Sequence, residues 1–114
     1  MKVKEISDLI EGSVVAGAEN LENVVDMAFA SDLMSDVLTV KTDNLLLLTG
    51  LVNTQAIRTA EMSDISCIVF VRNKKVTDEM IGIAKENKIT IIQTPYSMFK
   101  VSGILFGAGI KPVF

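Results

Sequence analysis

Three short segments combine hydroxyl, amide and cationic side chains with the start of a helix, a pattern that can hold an anion. In Thr49-Gly50-Leu51-Val52-Asn53-Thr54, Gly50 permits a sharp backbone turn. Asn53 or Thr54 then opens a helix whose first N–H groups have no partner in the helix itself. Arg72-Asn73-Lys74-Lys75-Val76-Thr77 sets three cations within four positions ahead of a second helix start. Thr94-Pro95-Tyr96-Ser97 precedes a third. Each segment also has a plainer reading. Strand–glycine–helix joints occur in α/β proteins that bind nothing, a cation run is commonly a solvated turn, and Thr94-Pro95 with Ser97 is a simple way to begin a helix. Neither GxxxxGK[ST] nor GxGxxG occurs, so the two common phosphate-binding loops are absent.

Other polar groups fall at helical spacing. Arg58 and Glu61 are three apart and can pair on one face; Gln55 and Thr59 are four apart on a neighbouring one. Such a set reads a small ligand or a partner surface, or is a surface ion pair worth about 0.2–0.5 kcal/mol. Asp32 and Asp36 are one turn apart, close enough to share a divalent ion. With no histidine in the chain and no third acid nearby, a solvated helix face is the simpler reading. The absence of histidine also removes Ser-His and Cys-His nucleophile pairs and His-ligated zinc. Cys67 is the single cysteine and sits in an apolar run, which predicts packing and not reactivity. No catalytic residue, metal site or cofactor is expected. The candidate ligand residues are Thr49, Gly50, Asn53, Thr54, Gln55, Arg58, Arg72 and Thr94.

The elements that must position these groups follow from hydrophobic spacing. Val3, Ile6, Leu9 and Ile10 predict a helix over Val3–Glu11, stopped by Gly12. Ser13–Ala16 and Val24–Ala30 are strand candidates. Ser31 can cap a helix from Asp32 to about Thr39 that buries Leu33, Met34, Val37 and Leu38. Asn44–Thr49, Ser66–Val71 and Ile89–Gln93 are continuous apolar runs, as expected of strands covered on both faces. Helices are predicted over Thr54–Ser63, from Thr77 through Lys88, and over Ser97–Gly107. Strand and helix therefore alternate through the second half. That predicts a single α/β domain over residues 1–114, with a mostly parallel central sheet and helices on its faces. In such a sheet the joints after the strands gather at one rim, where ligands bind.

The 114 residues are 49% apolar, ample for one core. Net charge is −3, which disfavours bulk nucleic-acid binding. It is unevenly spread, at −6 over residues 1–57 and +3 over residues 58–114. That asymmetry favours association of copies or an acidic ligand near the second half, or is scattered solvated charge. The charged N-terminus does not lead into a signal core, and Val101–Ile110 is half of what a membrane helix needs. A cytoplasmic protein with no membrane contact is expected. Within the last helix, Gly103 and Gly107 lie four apart and offer a smooth groove. It receives the sheet of the same chain, or another chain. With Phe106, Ile110 and Phe114 they form the candidate self-association face.

Val3-Lys4-Glu5-Ile6-Ser7-Asp8-Leu9-Ile10, Ser35-Asp36-Val37-Leu38, Leu47-Leu48-Thr49-Gly50 with the helix to Ala60, and Thr94-Pro95-Tyr96-Ser97-Met98-Phe99 resemble the DRTGG domain family over nearly the whole chain. The family is named for Asp-Arg after its first buried strand and Thr-Gly-Gly after its second. Those places hold Val52-Asn53 and Val71-Arg72-Asn73 here, so the naming residues are missing. The resemblance implies a regulatory or assembly module with no activity of its own, as a homodimer. The expected function is a non-catalytic regulatory or signalling module that acts through self-association and contact with a partner protein. The alternative is a sensor of a small anionic metabolite or nucleotide at the strand ends. A phosphoryl-transfer enzyme is a weaker third reading, since the chain lacks a phosphate loop.

Overall fold

A computed structural model describes residues 1–114. One six-stranded sheet runs through it. In chain order the strands are β1 (Ser13–Ala16), β2 (Met27–Ala30), β3 (Leu45–Thr49), β4 (Cys67–Phe70), β5 (Thr90–Gln93) and β6 (Lys111–Pro112). Across the sheet their order is β1-β5-β4-β3-β2-β6. All neighbours are parallel except β1, which pairs antiparallel with β5. The helices are α1 (Val3–Leu9), α2 (Met34–Val37), α3 (Thr54–Met62), α4 (Asp78–Glu86) and α5 (Met98–Gly107). The expected mostly parallel α/β architecture is therefore present.

The apolar runs separate by period two onto the two faces of the sheet. Leu45, Leu47, Ile68, Phe70 and Ile91 face one side, where Met34 and Val37 of α2, Ala56, Ile57 and Ala60 of α3, and Met80 and Ala84 of α4 cover them. Leu46, Leu48, Cys67, Val69 and Ile92 face the other, under Val3 and Ile6 of α1 and Val101 and Leu105 of α5. Both faces are thus buried, which is why the runs show no alternation. The chain winds from β2 to β5 through α2, α3 and α4 on one face. It then returns to the far edge at β6 through α5 on the opposite face. Reversing both direction and face keeps every crossover right-handed.

Several boundaries differ from the sequence expectation. The second strand begins at Met27; Val24 makes only an isolated bridge to Lys2. The α2 helix is one turn and starts after Asp32, with Leu33 and Leu38 exposed at 58% and 39% instead of buried. Ser31 Oγ does accept from the Leu33 N–H at 3.0 Å, as a turn rather than as the cap of a helix beginning at Asp32. Leu9 is also exposed. The short β6 has too little length to announce itself and contains a proline, which an edge strand tolerates.

Gly17 closes β1 with φ +77°. A Cβ there would lie 2.7 Å from Thr90 Cα and 2.5 Å from Thr90 Oγ1. Both the left-handed backbone and the contact with main chain oppose any side chain. Gly17→Ala should destabilise the fold by about 2–4 kcal/mol, read as a lowered urea midpoint.

Candidate functional site

The strand ends define the rim. Thr49, Phe70 and Gln93 are in register across β3, β4 and β5. The helices that follow are capped at that rim: Asn53 Oδ1 accepts from Ala56 N at 3.1 Å, Thr77 Oγ1 from Met80 N at 3.2 Å, and Ser97 Oγ from Lys100 N at 3.1 Å. The three joints expected to gather do so.

The centre of the rim is the Gly50 peptide, held at both ends by charge. Asp32 Oδ1 accepts from Gly50 N at 2.7 Å and from the Thr49 hydroxyl at 3.2 Å. Lys74 Nζ donates to the Gly50 carbonyl at 2.5 Å. The Arg72 guanidinium lies on the same side as Asp32, each 3.4 Å from where a Gly50 Cβ would stand. An anion therefore already occupies the Gly50 N–H, and it is the chain's own carboxylate. In the sequence Asp32 reads as the first turn of a helix capped by Ser31 and as one of a pair with Asp36. Its partner in the structure is the backbone amide of Gly50, just after β3.

The remaining candidates divide by what their polar atoms already do. Thr94 is 1% exposed; its hydroxyl donates to Ile10 O at 2.6 Å and accepts from Tyr96 N at 3.1 Å. Asn53 spends its carbonyl on the α3 cap, with Thr54 half-buried behind it. Gln55 and Arg58 are exposed on α3. Arg58 does not pair with Glu61, because the one ion pair in the structure is Lys2–Glu22 at 2.7 Å. The structure thus brings Thr49, Gly50 and Arg72 together with Asp32 and Lys74.

Arg72 and Asn73 have φ of +66° and +57°. This joint therefore takes a left-handed backbone that glycine adopts freely and arginine does not. The turn sends Arg72 N to Tyr96 O at 2.8 Å and Asn73 N to Thr94 O at 2.9 Å, locking the joint against the one after β5. Tyr96 in turn carries Lys100 Nζ 3.7 Å above its ring. Its phenol is raised above the usual value, first by desolvation and then by the Glu11 carboxylate.

A second region lies on α5. Gly103 and Gly107 do not dock on the sheet: a Cβ on either would meet no atom within 4 Å. Phe106 is 68% exposed, Phe114 90% and Phe99 90%. Phe99, Gly103 and Phe106 follow at spacings of four and three and so share one outward stripe. Beside it, Ala28, Phe29, Leu48 and Leu105 help line an apolar groove of about 260 Å³ whose wall includes Phe106 and Phe114. Phe114 rests edge-on against Phe29 at 6.0 Å between ring centres. Ile110 corrects the expectation: it is 5% exposed, a core residue at the groove floor and not part of an exposed face. Phe99 was missed, although its spacing of seven from Phe106 was visible.

Cys67 is buried in β4, and burial pushes its thiol from 9.0 up to about 12. Iodoacetamide at pH 8 should leave it unmodified in the folded protein and alkylate it in urea. Because the folded value is the higher one, the associated stability is complete below pH 9 and is lost as pH rises towards 12. The stability difference between wild type and Cys67→Ala should change over that window.

No three His, Cys, Asp or Glu side chains lie close enough to hold a metal ion. No helix is long and apolar enough to cross a membrane. The fold and rim define a helix-covered, mostly parallel sheet domain whose strand-end polar groups are largely engaged with one another. The model of the DRTGG domain matches residues 5–108, and the chain belongs to that family. Among solved structures it is similar to the CBS and DRTGG domains of the regulatory region of Clostridium perfringens pyrophosphatase, complexed with the activator diadenosine tetraphosphate. The TM-score is 0.72 at 17% identity, over 98% of this chain and 48% of that one. No curated protein matches.

Proposed function

We propose that this domain is a non-catalytic regulatory module that works by self-association through the outer face of α5. The exposed stripe of Phe99, Gly103 and Phe106 carries this reading. Two aromatic rings flank a glycine with open space above it, so the face holds both the projections and the recess that a two-fold copy of itself would fill. Nothing in the same chain uses the glycines' close-approach surface. Gly103, inside the helix, costs it about 1 kcal/mol relative to alanine, a cost that packing of a second helix would offset. Membership of the DRTGG family and the regulatory setting of the similar domain support a role as an assembly or signalling element in the cytoplasm, in contact with an enzyme or other partner. Sedimentation velocity over a concentration series tests this. A reversible dimer is expected, and a strict monomer at high micromolar concentration would overturn it.

A further inference from the structure

Beside the Gly50 peptide, on the β5 side of the rim, lies a separate recess of about 310 Å³ lined by Ser13, Asn73, Lys74, Lys75, Gln93, Thr94 and Pro95. None of these is a carboxylate or an aromatic, and Pro95 is the one apolar side chain among them. The antiparallel β1 creates the recess: pairing Ser13 with Gln93 brings a hydroxyl from the far end of the sequence to the strand ends. The left-handed pair Arg72-Asn73 then turns the chain so that the Lys74 and Lys75 amides donate to no protein acceptor. Gln93 Oε1 accepts from Val76 N at 2.6 Å, and the NH₂ of this lining residue has no protein partner. Lys74 and Lys75 have no carboxylate within ion-pair distance. The recess therefore offers unpaired backbone and amide donors with Lys75 as its free cation, the Lys74 ammonium being held on the Gly50 carbonyl beside it.

We propose that this recess binds a small phosphate monoester or inorganic phosphate. Donors and cations without a competing carboxylate select an anion. No aromatic side chain lines the recess, so nothing in it would stack a nucleobase. The proposal is independent of self-association, since α5 and the groove contribute no residue to the recess. Proton–nitrogen correlation spectra of the full chain, titrated with inorganic phosphate, glycerol phosphate and AMP against chloride at matched ionic strength, test it. Saturable shifts of the Lys74 and Lys75 amides and the Gln93 side-chain NH₂ are expected with both phosphate and glycerol phosphate, with AMP no tighter than glycerol phosphate. Lys75→Ala and Lys75→Glu should each weaken binding at least about tenfold, while Lys85→Ala, on the outer side of α4, should leave it unchanged. Shifts that do not saturate, that chloride reproduces, or that survive Lys75→Glu would overturn the site. AMP binding tenfold tighter than glycerol phosphate would overturn the ligand class.

Discussion

Replacing Phe99 and Phe106 together by glutamate should leave a folded protein that no longer associates. The two rings are 90% and 68% exposed, so their loss removes little from the core. Monomer stability should shift by no more than about 0.5 kcal/mol, as for surface substitutions generally. At an interface the same rings would be central anchors, each worth about 2 kcal/mol or more. Across a two-fold axis the introduced carboxylates would also face one another. The dissociation constant should rise by at least about 10²–10³-fold, since each 1.4 kcal/mol is a factor of ten. Sedimentation of the double variant beside wild type reads this directly, with urea melts confirming the fold. A variant that dimerises as wild type does would remove α5 from the interface. Gly103→Leu is a second test, because a Cβ there meets nothing in the monomer and would meet a partner helix.

Thr94→Val should destabilise the fold by about 2–4 kcal/mol. The side chain is almost the same size and is 1% exposed, so packing hardly changes. What changes is that the hydroxyl's two bonds, to Ile10 O and from Tyr96 N, are lost. Leaving a buried donor or acceptor unpaired costs about 1–3 kcal/mol each. Thr94 joins the end of α1 to the joint after β5, elements 84 residues apart in sequence. Its loss should therefore lower the urea midpoint with an unchanged slope, as one cooperative unit. Thr94→Ser, which keeps the oxygen, should recover most of the difference. A valine variant as stable as wild type would show that the hydroxyl does not hold this joint.

The contrast between Thr94 and Phe106 shows what sequence can convey about a site. Both were candidates on residue type and position. Phe106 is exposed on α5, and a helix face is a local property, settled by spacing along one element. The setting of Thr94 is not local, because the fate of a hydroxyl depends on which carbonyl the fold brings to it. Asp32 makes the same point in reverse. Its spacing from Asp36 suggested a shared helix face, yet the helix begins after it and its carboxylate closes on Gly50 N.

Residue order by itself determined the three buried ribbons, the helices between them and their common rim, because apolar spacing and right-handed crossover are rules of nearest neighbours along the chain. It also exposed the asymmetry of charge. Tertiary structure alone decided the antiparallel β1, the return of the chain to β6 and the internal carboxylate on Gly50. It also decided that the glycines of α5 face outward. Each of these depends on pairing between residues far apart in the chain, and the energy of such a pairing is written in neither partner's local sequence.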